Sequence, residues 1–177
     1  ACGLDTRCYR MKGKYVRWYN LDLPETINIR KQFLKETGPI YQIAKSAMDE
    51  SCRDNIQYHG ENILVIIEGL TMYLSENDIK KMFSIIDFKN STVMVEVMVP
   101  FVVKHIKEKS IEGSHAKFTW GIKNGKELEK FLPTFSFLTE VSLVEGMKKL
   151  MPIYHVLGKI PFVYNISNKI VVLNNHN

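Results

Sequence analysis

The stretch Ala1-Cys2-Gly3-Leu4-Asp5-Thr6-Arg7-Cys8-Tyr9-Arg10, with Trp18-Tyr19-Asn20-Leu21-Asp22 behind it, decides how the rest of the chain is read. A small-x-Gly turn lets the backbone come close to a ligand. An acidic residue roughly twenty positions on, at the end of a strand, accepts hydrogen bonds from ribose hydroxyls. Gly3 and Asp22 stand at that separation, so together they predict a nucleoside-cofactor pocket in an α/β fold. Such a turn ordinarily follows an apolar strand that delivers it to the ligand. The sequence opens inside the turn, and the expectation is that a first strand is missing at the amino-terminal side.

Outward from this stretch, residues 15–22 alternate and are rich in aromatic and β-branched side chains, the pattern of a strand ending at Asp22. Pro24 then opens a helix with Ile27, Ile29, Phe33 and Leu34 as its apolar residues, stopped by Gly38 and Pro39. Residues 40–44 form a second strand, followed by the loop Ser46, Ala47, Met48 and Asp49. The unbroken aliphatic run 63–67 predicts a strand buried on both faces, ending at Glu68. Ser75 caps a helix with Asp78 as its capping-box partner and Ile79, Met82, Phe83 and Ile86 on one side.

Further strands are predicted at 92–97, carrying Glu96, and at 137–143 and 169–173. Helices are predicted at 100–109, 126–132 and 144–154, with a polar loop at 110–114. Strands alternating with helices define an α/β class with a mostly parallel, doubly wound sheet, and the two late strands add an antiparallel edge strand. Repeats and low-complexity tracts are absent, and 177 residues predict a single domain spanning 1–177.

Composition sets limits on function. With 45% hydrophobic and 24% charged residues the chain is an ordinary globular one. Its net charge of +5 comes from lysines and arginines interleaved with acids rather than gathered in one stripe, which argues against nucleic acid as a partner. Cys2, Cys8 and Cys52 are odd in number and form no CxxC pair, which argues against a disulfide framework or zinc ribbon and fits a reducing cytoplasm. No apolar run is long enough to span a membrane, and the five histidines lack metal-ligand spacing.

Two chemistries compete for the glycine turn. A nicotinamide fingerprint, G-x-G-x-x-G, would place glycines where Ala1 and Thr6 stand, so a nicotinamide-dependent dehydrogenase is disfavoured. S-adenosylmethionine has no pyrophosphate to seat and does not need the third glycine. Here three motifs are similar to one family: Gly3-Leu4-Asp5-Thr6-Arg7, then Trp18-Tyr19-Asn20-Leu21-Asp22-Leu23-Pro24-Glu25, then Glu68-Gly69-Leu70-Thr71-Met72-Tyr73-Leu74. In this order they resemble the leucine carboxyl methyltransferases, especially the bacterial tetracenomycin-type polyketide O-methyltransferases. Ala1 stands where that family has glycine.

The resemblance implies a Rossmann-like S-adenosylmethionine-dependent methyltransferase fold with the cofactor at the carboxyl ends of the strands. It implies that Ala1 and Gly3 form the turn under the cofactor and that Asp22 binds the ribose. The loop of Ala47, Met48 and Asp49 would hold the adenine, and Glu68 would contact the cofactor. Arg7 is a candidate for the cofactor's carboxylate, since Arg pairs with carboxylates through two hydrogen bonds. The expected acceptor is a carboxyl or hydroxyl oxygen of a small molecule. A hydroxyl acceptor would want a general base, for which Tyr73, Glu96, His115 and His155 are the candidates. The competing expectation is a truncated, catalytically inactive domain of the same fold.

Overall fold

In the computed structural model, which describes residues 1–105 and 116–175, the aromatic and β-branched stretches form strands and the stretches between them form helices. Contacts divide the chain into two compact units. One comprises Ala1–His59 with Ser84–Ile86; the other comprises Gly60–Phe83 with Asp87–Asn177.

In the first unit a short helix α1 (Arg7–Arg10) precedes strand β1 (Trp18–Asp22), helix α2 (Pro24–Phe33) and strand β2 (Ile40–Ala44). The two strands are parallel, with Asp22 opposite Ala44, so their carboxyl ends and the loops beyond them lie side by side. Helix α2 has Pro24 in its first turn, where a missing N–H costs nothing. It stops at Phe33, short of the expected Gly38-Pro39 stop, because Leu34 is already extended and the chain turns to bring Glu36 inward. Its buried face is only partly the expected one. Ile27 and Arg30, three apart and so on one side of the helix, are fully buried, while Ile29 and Phe33 are 49% and 70% exposed. A small apolar cluster of Ile43, Cys52 and Ile85, flanked by Tyr19, Leu21 and Ile56, completes this unit.

The second unit contains β3 (Ile63–Ile67), most of α3 (Glu76–Ile85), β4 (Ser91–Val97), α4 (Pro100–His105), α5 (Gly125–Phe131), β5 (Ser136–Ser142), α6 (Leu143–Leu150), α7 (Tyr154–Leu157), α8 (Pro161–Ile166) and β6 (Lys169–Asn175). Its strands run in the order β3-β4-β6-β5, with β3 and β4 parallel and β6 antiparallel to both of its neighbours. The reversed strand is therefore β6, one place in from the edge formed by β5. Val93, Val95, Val171 and Leu173 are fully buried and face one another in register. The run 63–67 is a strand as expected, but it lies at the edge of its sheet with Leu64 54% exposed, not buried on both faces.

The capping box at α3 forms: the Ser75 hydroxyl accepts from the Asp78 N–H at 3.2 Å, and the Asp78 carboxylate accepts from the Ser75 N–H at 3.2 Å. Ile79, Met82 and Phe83 go into the core, where Phe83 meets Phe135 edge to face at 5.3 Å. The helix expected over 144–154 ends instead at Leu150, followed by the separate helices α7 and α8. Among the described residues no helix is long and apolar enough to cross a membrane. The expected loop at 110–114 lies outside the described residues.

Candidate functional site

The first unit brings Gly3 and Asp22 together. Gly3 has φ of 47°, in the left-handed region that glycine enters without penalty, and a side chain added there would meet open space. Its N–H donates to Asp22 Oδ2 at 2.8 Å, while the Leu23 N–H donates to Asp22 Oδ1 at 2.8 Å. The Cys2 N–H donates to the Leu21 carbonyl at 3.1 Å, which fastens the turn to the end of β1. Both carboxylate oxygens are thus oriented by backbone donors at the strand end, a placement two local bonds make reproducible. The exposed Ala1 lies in the same approach, its amine 2.9 Å from the Leu21 carbonyl.

The loop after β2 lies beside it, because the register sets Ala44 opposite Asp22 and the Lys45 N–H donates to the Asp22 carbonyl at 2.9 Å. Within that loop Ser46 Oγ accepts from the Met48 N–H at 3.1 Å. Asp49 caps the 3₁₀ turn Glu50–Asn55 by accepting from the Ser51 N–H at 2.9 Å. Ala47, Met48 and Asp49 therefore stand on a braced loop at the carboxyl end of the strand next to Asp22. Arg7, the candidate for the cofactor's carboxylate, has its Nε 3.5 Å from Asp5 Oδ2.

Beneath the turn is a set of charged and polar side chains that the sequence did not disclose. Arg30 and Glu36 form an ion pair whose side chains are 0% and 1% exposed. Arg30 Nη1 donates to the Gly3 carbonyl at 2.8 Å and Nη2 to the Asp5 carbonyl at 2.7 Å, and Nε donates to Glu36 Oε1 at 2.9 Å. Glu36 also accepts from Asn20 Nδ2 at 2.7 Å and from Gln42 Nε2, and Trp18 Nε1 donates to Asn20 Oδ1 at 2.8 Å. Burial works against the Arg30 charge, but hydrogen bonding and attraction from Glu36 leave its pKa raised. Burial pushes the neighbouring Cys8 thiol up, against the hydrogen bond from Asn20, so it is held as a neutral thiol.

In the second unit Glu68 follows β3 and is exposed. The strand itself ends on a buried residue, Ile67, and the chain reaches the surface at Glu68. Glu96, on β4, accepts from the Gly69 N–H at 3.0 Å through Oε2 and from Asn168 Nδ2 at 2.8 Å through Oε1. It thus braces the turn that follows Glu68, where Gly69 has φ of 63°. Tyr73 is half-buried with its ring 5.5 Å from that of Phe118, and His155 is exposed on α7. His115 lies outside the described residues.

Comparison with known proteins places the motifs beside one family. The family described as leucine carboxyl methyltransferase matches residues 1–87. The tetracenomycin polyketide synthesis O-methyltransferase TcmP of Streptomyces glaucescens is 31% identical over 82% of this chain and 55% of its own length. The chain is leucine carboxyl methyltransferase-like. This leucine carboxyl methyltransferase-like chain spans about half the length of the curated relatives it matches.

Its fold is likewise Rossmann-like. A SAM-dependent methyltransferase from Anabaena variabilis superposes with a TM-score of 0.61 at 12% identity, over 99% of this chain and 74% of that one. PKMT2 from Rickettsia typhi, solved in complex with AdoHcy, gives 0.62 at 11% identity, over 99% of this chain and 48% of that one. In the leucine carboxyl methyltransferase-like chain the residues that sequence reasoning missed are Arg30 and Glu36. Charged residues on a helix and in the turn after it are ordinarily solvated, and no local pattern marks these two as buried.

Proposed function

We propose that this chain is an S-adenosylmethionine-dependent O-methyltransferase acting on a carboxyl or hydroxyl oxygen of a small molecule. The observation that carries the reading is the Gly3 N–H bond to Asp22 at the end of β1, beside the loop 45–49 at the end of β2. The residues present suit such a cofactor: a carboxylate to accept ribose hydroxyls, a glycine turn with open space above it, and an adjacent loop for the base. When bound, the cofactor supplies an electrophilic methyl on sulfur, displaced in line by an oxygen nucleophile to leave S-adenosylhomocysteine.

The protein's part is then chiefly alignment, which can supply roughly 7–11 kcal/mol of a barrier. Asp22 would hold the ribose, Ala1 and Gly3 the close approach, and Ala47, Met48 and Asp49 the base. Arg7 and Glu68 are kept as cofactor contacts on the resemblance. A carboxylate acceptor is already a nucleophile and needs no base. For a hydroxyl acceptor Tyr73 and His155 remain candidates, whereas Glu96 is better placed to brace the Gly69 turn through both of its oxygens. The mixed surface charge supports a small-molecule rather than a nucleic-acid partner, and the free thiols Cys2, Cys8 and Cys52 support a cytoplasmic setting.

The test is incubation with methyl-labelled S-adenosylmethionine and a panel of small carboxylic acids and phenols. Label is expected in an ester or ether product. Binding of the cofactor without transfer to any of them would favour the catalytically inactive reading.

A further inference from the structure

We propose that Arg30, held by Glu36, is a positioning residue that sets the shape of the cofactor turn from below. The inference rests on the reading of Gly3 and Asp22 as the nucleoside site. Its basis is where the buried guanidinium spends its donors. One edge is bound to Glu36, and Nη1 and Nη2 reach backbone carbonyls of the turn itself, Gly3 at 2.8 Å and Asp5 at 2.7 Å, with Nη2 also 3.7 Å from Cys8 Sγ. Two fixed carbonyls fix two peptide planes. Both peptide bonds are trans, so the N–H groups that follow, of Leu4 and Thr6, are turned to the side away from Arg30.

The turn is therefore held between two charged groups from different elements: Asp22 of β1, which takes the Gly3 N–H, and Arg30 of α2, which takes the Gly3 carbonyl. Glu36 is needed because a guanidinium with no exposed surface requires a counter-charge. Asn20 and Gln42, from β1 and β2, orient that counter-charge in turn. Lysine cannot replace this fork, since its single nitrogen cannot reach Glu36 and two separate carbonyls in one plane. The arrangement ties the shape of the binding turn to the packing of α2 on the two strands.

The experiment is calorimetric titration of the 177-residue protein and its variants with S-adenosylhomocysteine, alongside thermal melts. Arg30→Lys keeps a buried cation for Glu36. The double variant Arg30→Met with Glu36→Leu removes both charges at similar volume, an exchange that often leaves stability unchanged. Both are expected to fold and to bind roughly tenfold more weakly, or worse, for the loss of at least one carbonyl bond. Ile27→Ala, buried on the same helix and matched for its loss of melting temperature, is expected to bind as the wild type does.

Wild-type affinity in a folded Arg30→Lys protein and in the folded double variant would overturn the positioning role while leaving the proposed function intact. Equal weakening in Ile27→Ala would overturn it too, since the effect would then be one of general stability. So would failure of both Arg30 variants to fold, because the pair would then hold the fold and not the turn. Absence of binding by the folded wild type would instead remove the proposed function, and this inference with it.

Discussion

The two units of the chain are held by different kinds of force. In the first, the largest fully buried side chain is Arg30, bound to Glu36, two backbone carbonyls and Cys8 Sγ, with Asn20 and Gln42 bonded to Glu36 in turn. In the second, the interior is chiefly Val93, Val95, Val171 and Leu173, in register across β4 and β6, with Leu128 and Phe135 packed beside them, and its one buried cation among the described residues, Lys169, lies at the start of β6 against Glu140. Apolar packing is non-directional and tolerates small shifts, whereas hydrogen bonds weaken steeply with angle. A turn that must offer one carboxylate and one glycine in a set geometry is better placed by the second kind of force. The contrast teaches that the first unit trades core hydrophobicity for orientation at the place where a nucleoside would be read.

The contrast breaks most visibly at Glu36. Glu36→Leu alone strands a buried guanidinium and is expected to lower stability by about 3–5 kcal/mol, while adding Arg30→Met recovers most of the loss. Chemical denaturation of the single and double variants measures this, and a single variant as stable as wild type would mean that Arg30 finds water in place of Glu36. In the apolar unit the equivalent change is Leu128→Ala, fully buried on α5, with an expected loss of about 2–5 kcal/mol. No second substitution beside it should restore stability by cancelling a charge; only refilling the volume should.

The smallest effect is at the α3 capping box. Ser75→Ala removes a cap and is expected to cost about 1 kcal/mol. Hydrogen bonds from Ser75 hold the Asp78 carboxyl below its ordinary pKa. A carboxyl whose pKa is lower folded than unfolded stabilises above the unfolded value, and that contribution fades as pH falls through the folded one. The difference in stability between wild type and Ser75→Ala should therefore shrink on acidification below the carboxylate range, and a difference that grew would contradict the assigned bonds.

Most of the strands and the Ser75 cap were legible in the sequence because they rest on local pattern. The expected spans 40–44 and 63–67 are the observed β2 and β3, since each is a short apolar or β-branched run bounded by turn residues. Gly3 and Asp22 were legible as a pair because their spacing encodes a strand-end geometry, which the 2.8 Å bond realises. What stayed hidden depended on tertiary contacts. The apolar residues of α2 pointed to Ile27, which is buried, but also to Ile29 and Phe33, whereas the buried face pairs Ile27 with Arg30 because the cation is matched by Glu36 from beyond the helix end. Likewise the aliphatic run of β3 does not say whether a strand is central or at an edge. The place of β6 inside its sheet depends on pairing over long sequence separation, which no local window contains.

The most direct test of the account is calorimetric titration of S-adenosylhomocysteine into the wild-type protein and into Asp22→Ala. Saturable binding by the wild type, weakened roughly 10- to 100-fold by loss of hydrogen bonds to a charged group, is the predicted result. No binding by a folded wild type, or equal affinity in the variant, would contradict the assignment of Gly3 and Asp22 as the nucleoside site.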